Sequence, residues 1–335
     1  MPCYRPLKAY KMLNEYTKNG KNVIEFQKEK AGKKAYEKVT LACGQCIGCK
    51  IDRSASWAIR CVHEAQLYSE NSFITLTFND KNINQTQTLM KVDFQKFMKR
   101  LRKHEKGKRI RYFHCGEYGQ ICGNCGKSKP ICLQSNCKTW DPVLGRPHHH
   151  ACLFGHSFND VKLIKQSRGV KLYTSQTLAK LWPFGYVTIG DVTYESAAYV
   201  ARYIHKKING PQKEGHYTRT DRTTGETVAI EPEYITMSRR PGIGKAWFQQ
   251  YSSDVYPKDF VTVKGKKFRA PHYYDRLYES MEPGRMQKIK NKRKENALKE
   301  DPKEKMMKRQ RVKETVAKRC HGIRERKFEN DTSVL

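Results

Sequence analysis

Three consecutive histidines, residues 148–150, are the residues of this chain whose types and spacing could do the most chemistry. A proline precedes them, apolar residues follow and a glycine closes the run, which is typical of a β-strand. Because successive side chains of a strand point to opposite faces, His148 and His150 share one face and His149 points to the other. Two imidazoles side by side on a strand form half of a divalent-metal site. The run therefore predicts a metal centre.

The remaining ligands of such a centre are expected to be oxygen atoms, because hard cations such as Mg²⁺ and Mn²⁺ prefer them. Glu117 ends the strand predicted before a cysteine-rich insertion and is the best candidate carboxylate, while Asp80 and Glu64 are weaker candidates. We expect His148, His150 and Glu117 to hold a catalytic Mg²⁺ or Mn²⁺. In the alternative interpretation, the histidines are structural or bind zinc or nickel incidentally.

Two tyrosines, Tyr199 and Tyr203, lie four residues apart in a helix-like run and therefore on one helix face. A phenol held in line with phosphorus beside a metal ion can cut a phosphodiester and form a phosphotyrosine. The basic neighbours Arg202, Lys206 and Lys207 would stabilise the negative charge that develops. The alternative is that the two tyrosines are a packing pair in the core.

The charge of the chain is strongly one-sided. There are 66 Lys and Arg residues against 33 Asp and Glu, a formal net charge of +33. Such an excess favours a polyanionic partner, for which nucleic acid is the first candidate and an anionic membrane surface the alternative. Arg239 and Arg240 are further predicted DNA contacts. No apolar run approaches the roughly 18 residues of a membrane-spanning helix, and the amino terminus lacks the apolar core of a signal peptide. We therefore expect a soluble, intracellular protein.

Twelve cysteines are many for a chain of 335 residues. Their Cys-x2-Cys spacings indicate bound metal rather than disulfides in a reducing cytosol. One cluster supplies four thiolates within a segment that is poor in core-forming residues, so structural, tetrahedral Zn²⁺ is its expected organiser. This cluster consists of Cys122, Cys125, Cys132 and Cys137.

The second cluster consists of Cys43, Cys46 and Cys49. Its fourth ligand is expected to be Cys3, with Cys61 and His63 as alternatives. We favour structural zinc here over an iron–sulfur cluster, which also uses such spacings, because nothing else in the sequence indicates electron transfer.

The elements that must position these residues alternate between strands and helices. Strands are predicted at 73–78, 109–114, 148–154 and 186–191, and helices at 53–68, 93–104, 174–182 and 194–207. The order predicts an α+β or α/β sheet with helices on one face. Gly116–Gly119 is expected to end its strand.

The predicted domain organisation has three parts. A Cys-rich segment, 1–52, is followed by a catalytic domain, 53–250, which contains the insertion 120–141. A basic region, 251–335, ends in a Lys/Arg/Glu-rich tail that is either a solvated helix or disordered.

Taken together, these motifs resemble the replication initiators of the gokushovirus group of small single-stranded DNA phages (microviruses), within the His-hydrophobe-His class of rolling-circle nickases. The resemblance covers residues 1 to about 250. It rests on Cys43–Cys49 with Trp57–Arg60, Phe73–Phe78, Gly116–Gly119, Arg146–Gly155, Tyr199–Lys207 and Met237–Gly244. One residue departs from the pattern, since His149 stands where the class has a hydrophobe.

The resemblance implies that His148 and His150 bind the metal and that Tyr199 and Tyr203 alternate as nucleophiles. It implies an antiparallel sheet with flanking helices, like an RNA-recognition-type palm, here with zinc-stabilised insertions. The implied activity is nicking and rejoining of origin DNA in rolling-circle replication. The partners would be single-stranded origin DNA and the host helicase and polymerase, in the cytoplasm of a bacterial host.

Two alternatives stay open at this point. A transposase or plasmid relaxase would use the same chemistry. A non-enzymatic, zinc-stabilised single-strand-binding or packaging protein would explain the charge, with the tyrosines in its core. The sequence does not determine the oligomeric state.

Overall fold

A seven-stranded antiparallel sheet carries the histidine strand and positions most of the candidate site. The computed structural model of the chain describes residues 3–32, 34–125, 127, 132–133, 137, 142–167, 169–206, 212–220, 224–299 and 301–332. Within these ranges, the side chains at 142, 203–206, 212, 305 and 323–332 are outside the description.

The strands fall into one large sheet and three small ones. They are β1 (Leu7–Tyr16), β2 (Asn22–Glu25), β3 (Tyr36–Leu41), β4 (Asn71–Thr77), β5 (Arg111–Cys122), β6 (Pro142–Phe154), β7 (Val161–Ser167), β8 (Val170–Ser175), β9 (Val187–Gly190), β10 (Thr218–Thr220), β11 (Thr227–Ala229), β12 (Tyr234–Met237), β13 (Phe260–Val263) and β14 (Lys266–Arg269). The large sheet has the order β12-β5-β6-β4-β9-β8-β7.

The helices vary from one turn to seven. They are Lys28–Ala31, Ile47–Ala65, Lys91–His104, Gln176–Leu181, Tyr194–Lys206, Gln212–His216, Lys245–Val255, His272–Met281, Pro283–Leu298, Pro302–Lys305 and Met307–Thr332. The segment Tyr194–Lys206 is called the tyrosine helix below. In the part of the chain that the structure describes, none of the helices combines the length and the apolar character needed to cross a membrane.

Both faces of the large sheet are buried, whereas the sequence predicted helices on one face only. Ile74 and Leu76 belong to a core that also contains the apolar side of helix Lys91–His104. Phe73 belongs to a second core, which includes residues of helix Ile47–Ala65 and of the tyrosine helix. The reason lies in the central strands: the end of β6, residues 151–154, is buried on both sides, so each side needs a cover.

The β5–β6 pair is longer than predicted and extends to the base of the cysteine insertion. Gly116 and Gly119 do not end β5, because that strand pairs with β6 as far as Cys122. Gly116 serves close packing instead, since a Cβ there would lie 2.8 Å from the Tyr234 ring. The predicted α+β class, an antiparallel sheet with flanking helices, is confirmed. The likeness to an RNA-recognition-type palm stays a prediction.

The chain forms two packing units. One comprises Ser54–Gln287 with Phe328–Leu335, and it contains the large sheet. The other comprises Met1–Arg53 with Lys288–Lys327, where the β2-β1-β3 sheet lies and where Arg5 pairs with Glu314 at 2.8 Å. The basic tail, expected to be a solvated helix or disordered, is described as helices. The predicted functional division of the chain stays a prediction.

Candidate functional site

Glu117, His148 and His150 come together on one face of the β5–β6 pair. Glu117 lies directly opposite His148 in the antiparallel register, and His150 follows two residues along the same face. Oε1 of Glu117 lies 2.5 Å from Nε2 of His148 and 3.1 Å from Nε2 of His150. One ligand atom from each of the three residues lies within 4.8 Å of the others, so this set, called the Glu117 site below, could hold one metal ion.

The other ring nitrogen of each histidine has its own neighbour. Nδ1 of His148 lies 3.2 Å from the carbonyl oxygen of Arg146, and Nδ1 of His150 lies 2.9 Å from Oγ1 of Thr75. A carbonyl oxygen only accepts, so Nδ1 of His148 carries the hydrogen. In the neutral ring, Nε2 then presents its lone pair to the carboxylate of Glu117. Two lone pairs that face each other need a proton or a cation between them, which fits a metal site.

The carboxyl group of Glu117 is held in its charged form. Burial raises its pKa, but the neighbouring His148 and His150 rings lower it by more, so the net pKa is below the ordinary range. Glu117 is 2% exposed, and its Oε2 is buried with no hydrogen-bond partner among the described residues. A buried, ionised carboxylate with one unsatisfied oxygen fits a divalent cation.

Tyr199 reaches the Glu117 site from the tyrosine helix. Its hydroxyl donates to Oε1 of Glu117 at 3.2 Å, and its ring stands perpendicular to that of His150 with centroids 5.0 Å apart. The guanidinium carbon of Arg202 lies 4.9 Å from the Tyr199 ring centroid. The phenol oxygen and a basic side chain thus lie beside the candidate metal ligands.

Three of the predicted site residues are only partly described. Tyr203 and Lys206 lie on the tyrosine helix, but their side chains are outside the described part, and Lys207 is outside it altogether. Backbone spacing places Tyr203 one turn after Tyr199 on the same helix face.

Several predicted residues lie away from the Glu117 site. Arg239 and Arg240 are exposed in the turn after β12, close to Tyr112 at the other end of β5. The weaker carboxylate candidates are engaged elsewhere: Glu64 accepts from Arg111, and Asp80 pairs with Arg146.

The first cysteine cluster gathers Cys3, Cys43, Cys46 and Cys49, with their sulfur atoms within 4.8 Å of one another. Sγ of Cys46 lies 3.9 Å from that of Cys3 and 3.5 Å from that of Cys49. Burial raises the pKa of the Cys46 thiol, but backbone N–H groups, one of them from Tyr4, and neighbouring thiols lower it to about 7.

The second cluster gathers Cys122, Cys125, Cys132 and Cys137 within the same limit. Sγ of Cys122 lies 3.8 Å from that of Cys137. Thiolates bound to one tetrahedral zinc at about 2.3 Å lie roughly 3.8 Å apart, so both clusters have the dimensions of a zinc site. Cys61, Cys115 and Cys152 are buried outside the clusters, and Cys320 is exposed.

His149 points to the opposite face, as the alternation predicts, and it has a partner that sequence reasoning missed. Its Nδ1 lies 3.2 Å from Nε2 of His114, whose Nδ1 lies 2.8 Å from Oγ1 of Thr236. Phe94 stacks on His114 with centroids 3.5 Å apart. This polar row among aromatic rings explains how a histidine is tolerated where the class has a hydrophobe.

Thr75, which contacts His150, was also missed. It lies in the predicted strand 73–78, where threonines at 75 and 77 interrupt the apolar residues. That alternation is the signal that could have placed it on the histidine face, but its pairing with His150 depends on the β4–β6 register.

The residues around this geometry match a known family. The chain matches the family "Replication-associated protein ORF2/G2P" over residues 71–125 and 141–208. These two stretches contain β4, β5, β6 and the tyrosine helix, and the gap between them falls in the cysteine insertion.

Three phage proteins are similar over much of the chain. Replication-associated protein ORF2 of Spiroplasma virus 4 is 29% identical over 83% of this chain and 81% of its own length. Replication-associated protein VP4 of Bdellovibrio phage phiMH2K is 29% identical over 89% and 84%, respectively. Replication-associated protein ORF4 of Chlamydia phage 1 is 29% identical over 72% and 54%. No solved structure matches. The resemblance to replication proteins of small phages is confirmed.

Proposed function

We propose that this protein is a replication initiator that nicks origin DNA through a phosphotyrosine and rejoins the strands in rolling-circle replication. One observation carries the proposal: the Tyr199 hydroxyl donates to Oε1 of Glu117, the same oxygen that contacts both His148 and His150. A phenol directly beside a carboxylate–histidine set is the arrangement that tyrosine-mediated phosphodiester cleavage requires.

Glu117, His148 and His150 are the residues that would hold a divalent metal, Mg²⁺ or Mn²⁺. When bound, such an ion withdraws charge from phosphate oxygens and orients the phosphate. Thr75 and the Arg146 carbonyl hold the two rings with Nε2 toward the site. The same donor set would also bind zinc, so the choice of metal is a matter for the assay below.

Tyr199 would act as nucleophile. Its hydroxyl is oriented by Glu117, and the phenol loses its proton as its oxygen bonds to phosphorus. The bond from phosphorus to the 3′ oxygen breaks, and that oxygen takes up a proton, which leaves a 5′-phosphotyrosine and a free 3′-OH. The nearby Arg202 favours the charge that develops.

Tyr203 would serve in the second half of the cycle. After one circuit it would cut the regenerated origin, and the released 3′-OH would attack the first phosphotyrosine, which frees Tyr199 and closes a circle. Lys206 and Lys207 would add positive charge beside the two nucleophiles. One helical turn between the tyrosines is compatible with both serving one phosphate site.

The two cysteine clusters would each bind a structural zinc. Their sulfur spacing supports this proposal, and a four-thiolate shell leaves no open position for catalysis. The DNA partner follows from the names of the relatives and from the net charge of +33. The protein would act in the cytoplasm of a bacterial host, with the host helicase and polymerase extending the free 3′-OH.

The deciding experiment uses a labelled single-stranded origin oligonucleotide with added Mg²⁺ or Mn²⁺. A nickase gives a covalent protein–DNA adduct that survives denaturation, and the His150→Ala variant gives none. A shifted band in native gels without any adduct would contradict the proposal and favour the non-enzymatic binding protein.

A further inference from the structure

A second basic site lies at the start of β5. A cavity of about 430 Å³ is formed there by the end of helix Lys91–His104, the strand start and the turn after β12. Its described lining contains six basic side chains and no acidic one. These are Arg102, Lys108, Arg109, Arg111, Arg239 and Arg240, and the cavity is called the Arg239 pocket below.

The Arg239 pocket is separate from the Glu117 site. Arg111 and Glu117 lie at the two ends of the same strand, six residues apart, which corresponds to about 20 Å. None of the residues that form the Glu117 site lines this pocket in the part of the chain that the structure describes.

A buried ion pair fixes the turn that forms the pocket. Nε of Arg111 donates to Glu64 at 2.5 Å, and its Nη2 donates to the Pro241 carbonyl at 2.8 Å. The other oxygen of Glu64 accepts from the backbone N–H of Gly244 at 2.7 Å. Arg111 and Glu64 are 3% and 2% exposed, so these bonds exclude water and hold the turn in one conformation. A preformed pocket loses little entropy when a ligand binds.

The exposed guanidinium groups of the pocket are poorly neutralised. Arg239 and Arg240 have no ion pair among the described residues, whereas Lys108 pairs with the exposed Glu70 at 2.8 Å. Arg109 donates to the Arg240 carbonyl at 3.2 Å, which draws the positive side chains together. Like charges held close repel each other, and an anion between them relieves the repulsion.

We propose that the Arg239 pocket binds backbone phosphates of the same DNA strand that is cut at the Glu117 site. This inference rests on the proposed function. Arginine forks suit phosphate oxygens, and a contact to the backbone positions a strand without reading its sequence. The two sites together would hold the strand at two points, separated by about six nucleotides at a stacked spacing of roughly 3.4 Å, and by fewer in an extended strand.

The binding test uses the full-length Tyr199→Phe/Tyr203→Phe protein, which keeps the DNA intact, and fluorescent dT20. Adding Arg239→Gln and Arg240→Gln should weaken binding about tenfold near 0.1 M salt and reduce the salt slope by roughly 1.4, since two phosphate contacts are lost. The matched control, Lys162→Gln with Lys171→Gln, removes two exposed charges at the β7–β8 edge and should change affinity less than twofold. Equal losses in both proteins would overturn the proposal, because net charge alone would then explain them.

The second test measures cleavage of origin strands that are extended stepwise on each side of the cut. With the wild-type tyrosines, KM should fall as the strand becomes long enough to reach the pocket. In the Arg239→Gln/Arg240→Gln protein this fall should be absent while kcat is kept. A length profile equal to that of wild type would refute the pocket even if cleavage is normal. If wild type forms no adduct, the proposed function fails, and the dT20 comparison alone decides on the pocket.

Inorganic phosphate separates a DNA site from a site for the free anion. Phosphate at low millimolar concentration should not displace dT20 from the wild-type pocket beyond the effect of equal ionic strength in chloride. Displacement that is specific to phosphate and absent from the Arg239→Gln/Arg240→Gln protein would identify a free-phosphate site and overturn the proposal.

Discussion

At the scale of single residues, Glu117 carries the greatest energetic conflict in the site. Its carboxylate is buried and ionised, Oε1 is shared by two histidines and Tyr199, and Oε2 has no partner among the described residues. An isolated buried charge is costly unless a cation or several hydrogen bonds compensate it. The strands fix this arrangement, so the strain is removed by binding a cation rather than by movement of the backbone.

The histidine face gives the first prediction. His148→Ala and His150→Ala should each lower cleavage by more than about 100-fold, because each removes a metal ligand. DNA binding should stay within a few-fold of wild type, since the surrounding positive charge is unchanged. His149→Leu should keep cleavage, because that side chain packs on the opposite face beside Phe78 and Phe94. Gel assays of nicking and of binding on the same preparations measure both quantities; loss of activity at His149 with activity kept at His148 would contradict the assignment.

The tyrosine pair gives the second prediction. Tyr199→Phe or Tyr203→Phe alone should retain some nicking of single-stranded origin DNA but should fail to release a closed circle. The double variant should form no covalent adduct, although phenylalanine keeps the ring that packs against His150. Mass spectrometry of the trapped adduct identifies the modified residue. A nucleotide attached to Tyr194 or Tyr186 instead would refute the assignment of the nucleophiles.

At the scale of elements, the period-2 alternation of β6 was enough to place His148 and His150 on one face and His149 on the other. The partners of these rings could not be predicted, because Thr75 and His114 lie on other strands and depend on sheet register. Register is set by long-range packing, which one sequence does not reveal.

Gly116 shows the opposite kind of error. A glycine near predicted strand ends was interpreted as a stop, whereas it makes room for the Tyr234 ring within a continuing strand. The helices on both faces were missed for a related reason: short apolar runs reveal burial but not how many faces are covered.

The cysteine insertion gives the third prediction. Cys125→Ser should reduce bound zinc by about one ion per protein and lower thermal stability or solubility, because the segment has few apolar residues and depends on its metal. Cys320→Ser changes an exposed cysteine and should alter neither quantity. Elemental analysis of the purified variants provides the count. Active wild-type protein that contains no zinc would rule out the structural-zinc proposal.

At the scale of the whole molecule, the excess of positive charge is used in two different ways. Around the tyrosine helix it lies next to the proposed reaction, and at the Arg239 pocket it lies about 20 Å away on a turn held by buried groups. Sequence composition predicts a polyanionic partner but not this division, because Arg239 and Arg240 are adjacent to the pocket only after β12 pairs with β5.

The last prediction concerns the stability of the folded protein against acid. His63 is 3% exposed, stacks on Trp247 with centroids 3.5 Å apart, and lies with Nδ1 3.0 Å from the Tyr274 hydroxyl. Burial lowers its pKa from 6.5 to about 3. Between these values the unfolded chain binds a proton that the folded protein does not, so stability falls as pH falls below about 6.5.

His63 alone should therefore remove about 2 kcal/mol of unfolding free energy between pH 7 and pH 5. His63→Phe keeps a flat ring for stacking and cannot titrate, so the difference in unfolding free energy between wild type and variant should shift by that amount in favour of the variant. Urea unfolding at pH 7, 6 and 5 measures the shift, with His104→Gln as the control because that histidine is exposed. If the difference between wild type and His63→Phe stays constant across this range, His63 is not the acid-sensitive group, and the fold must admit its proton without unfolding.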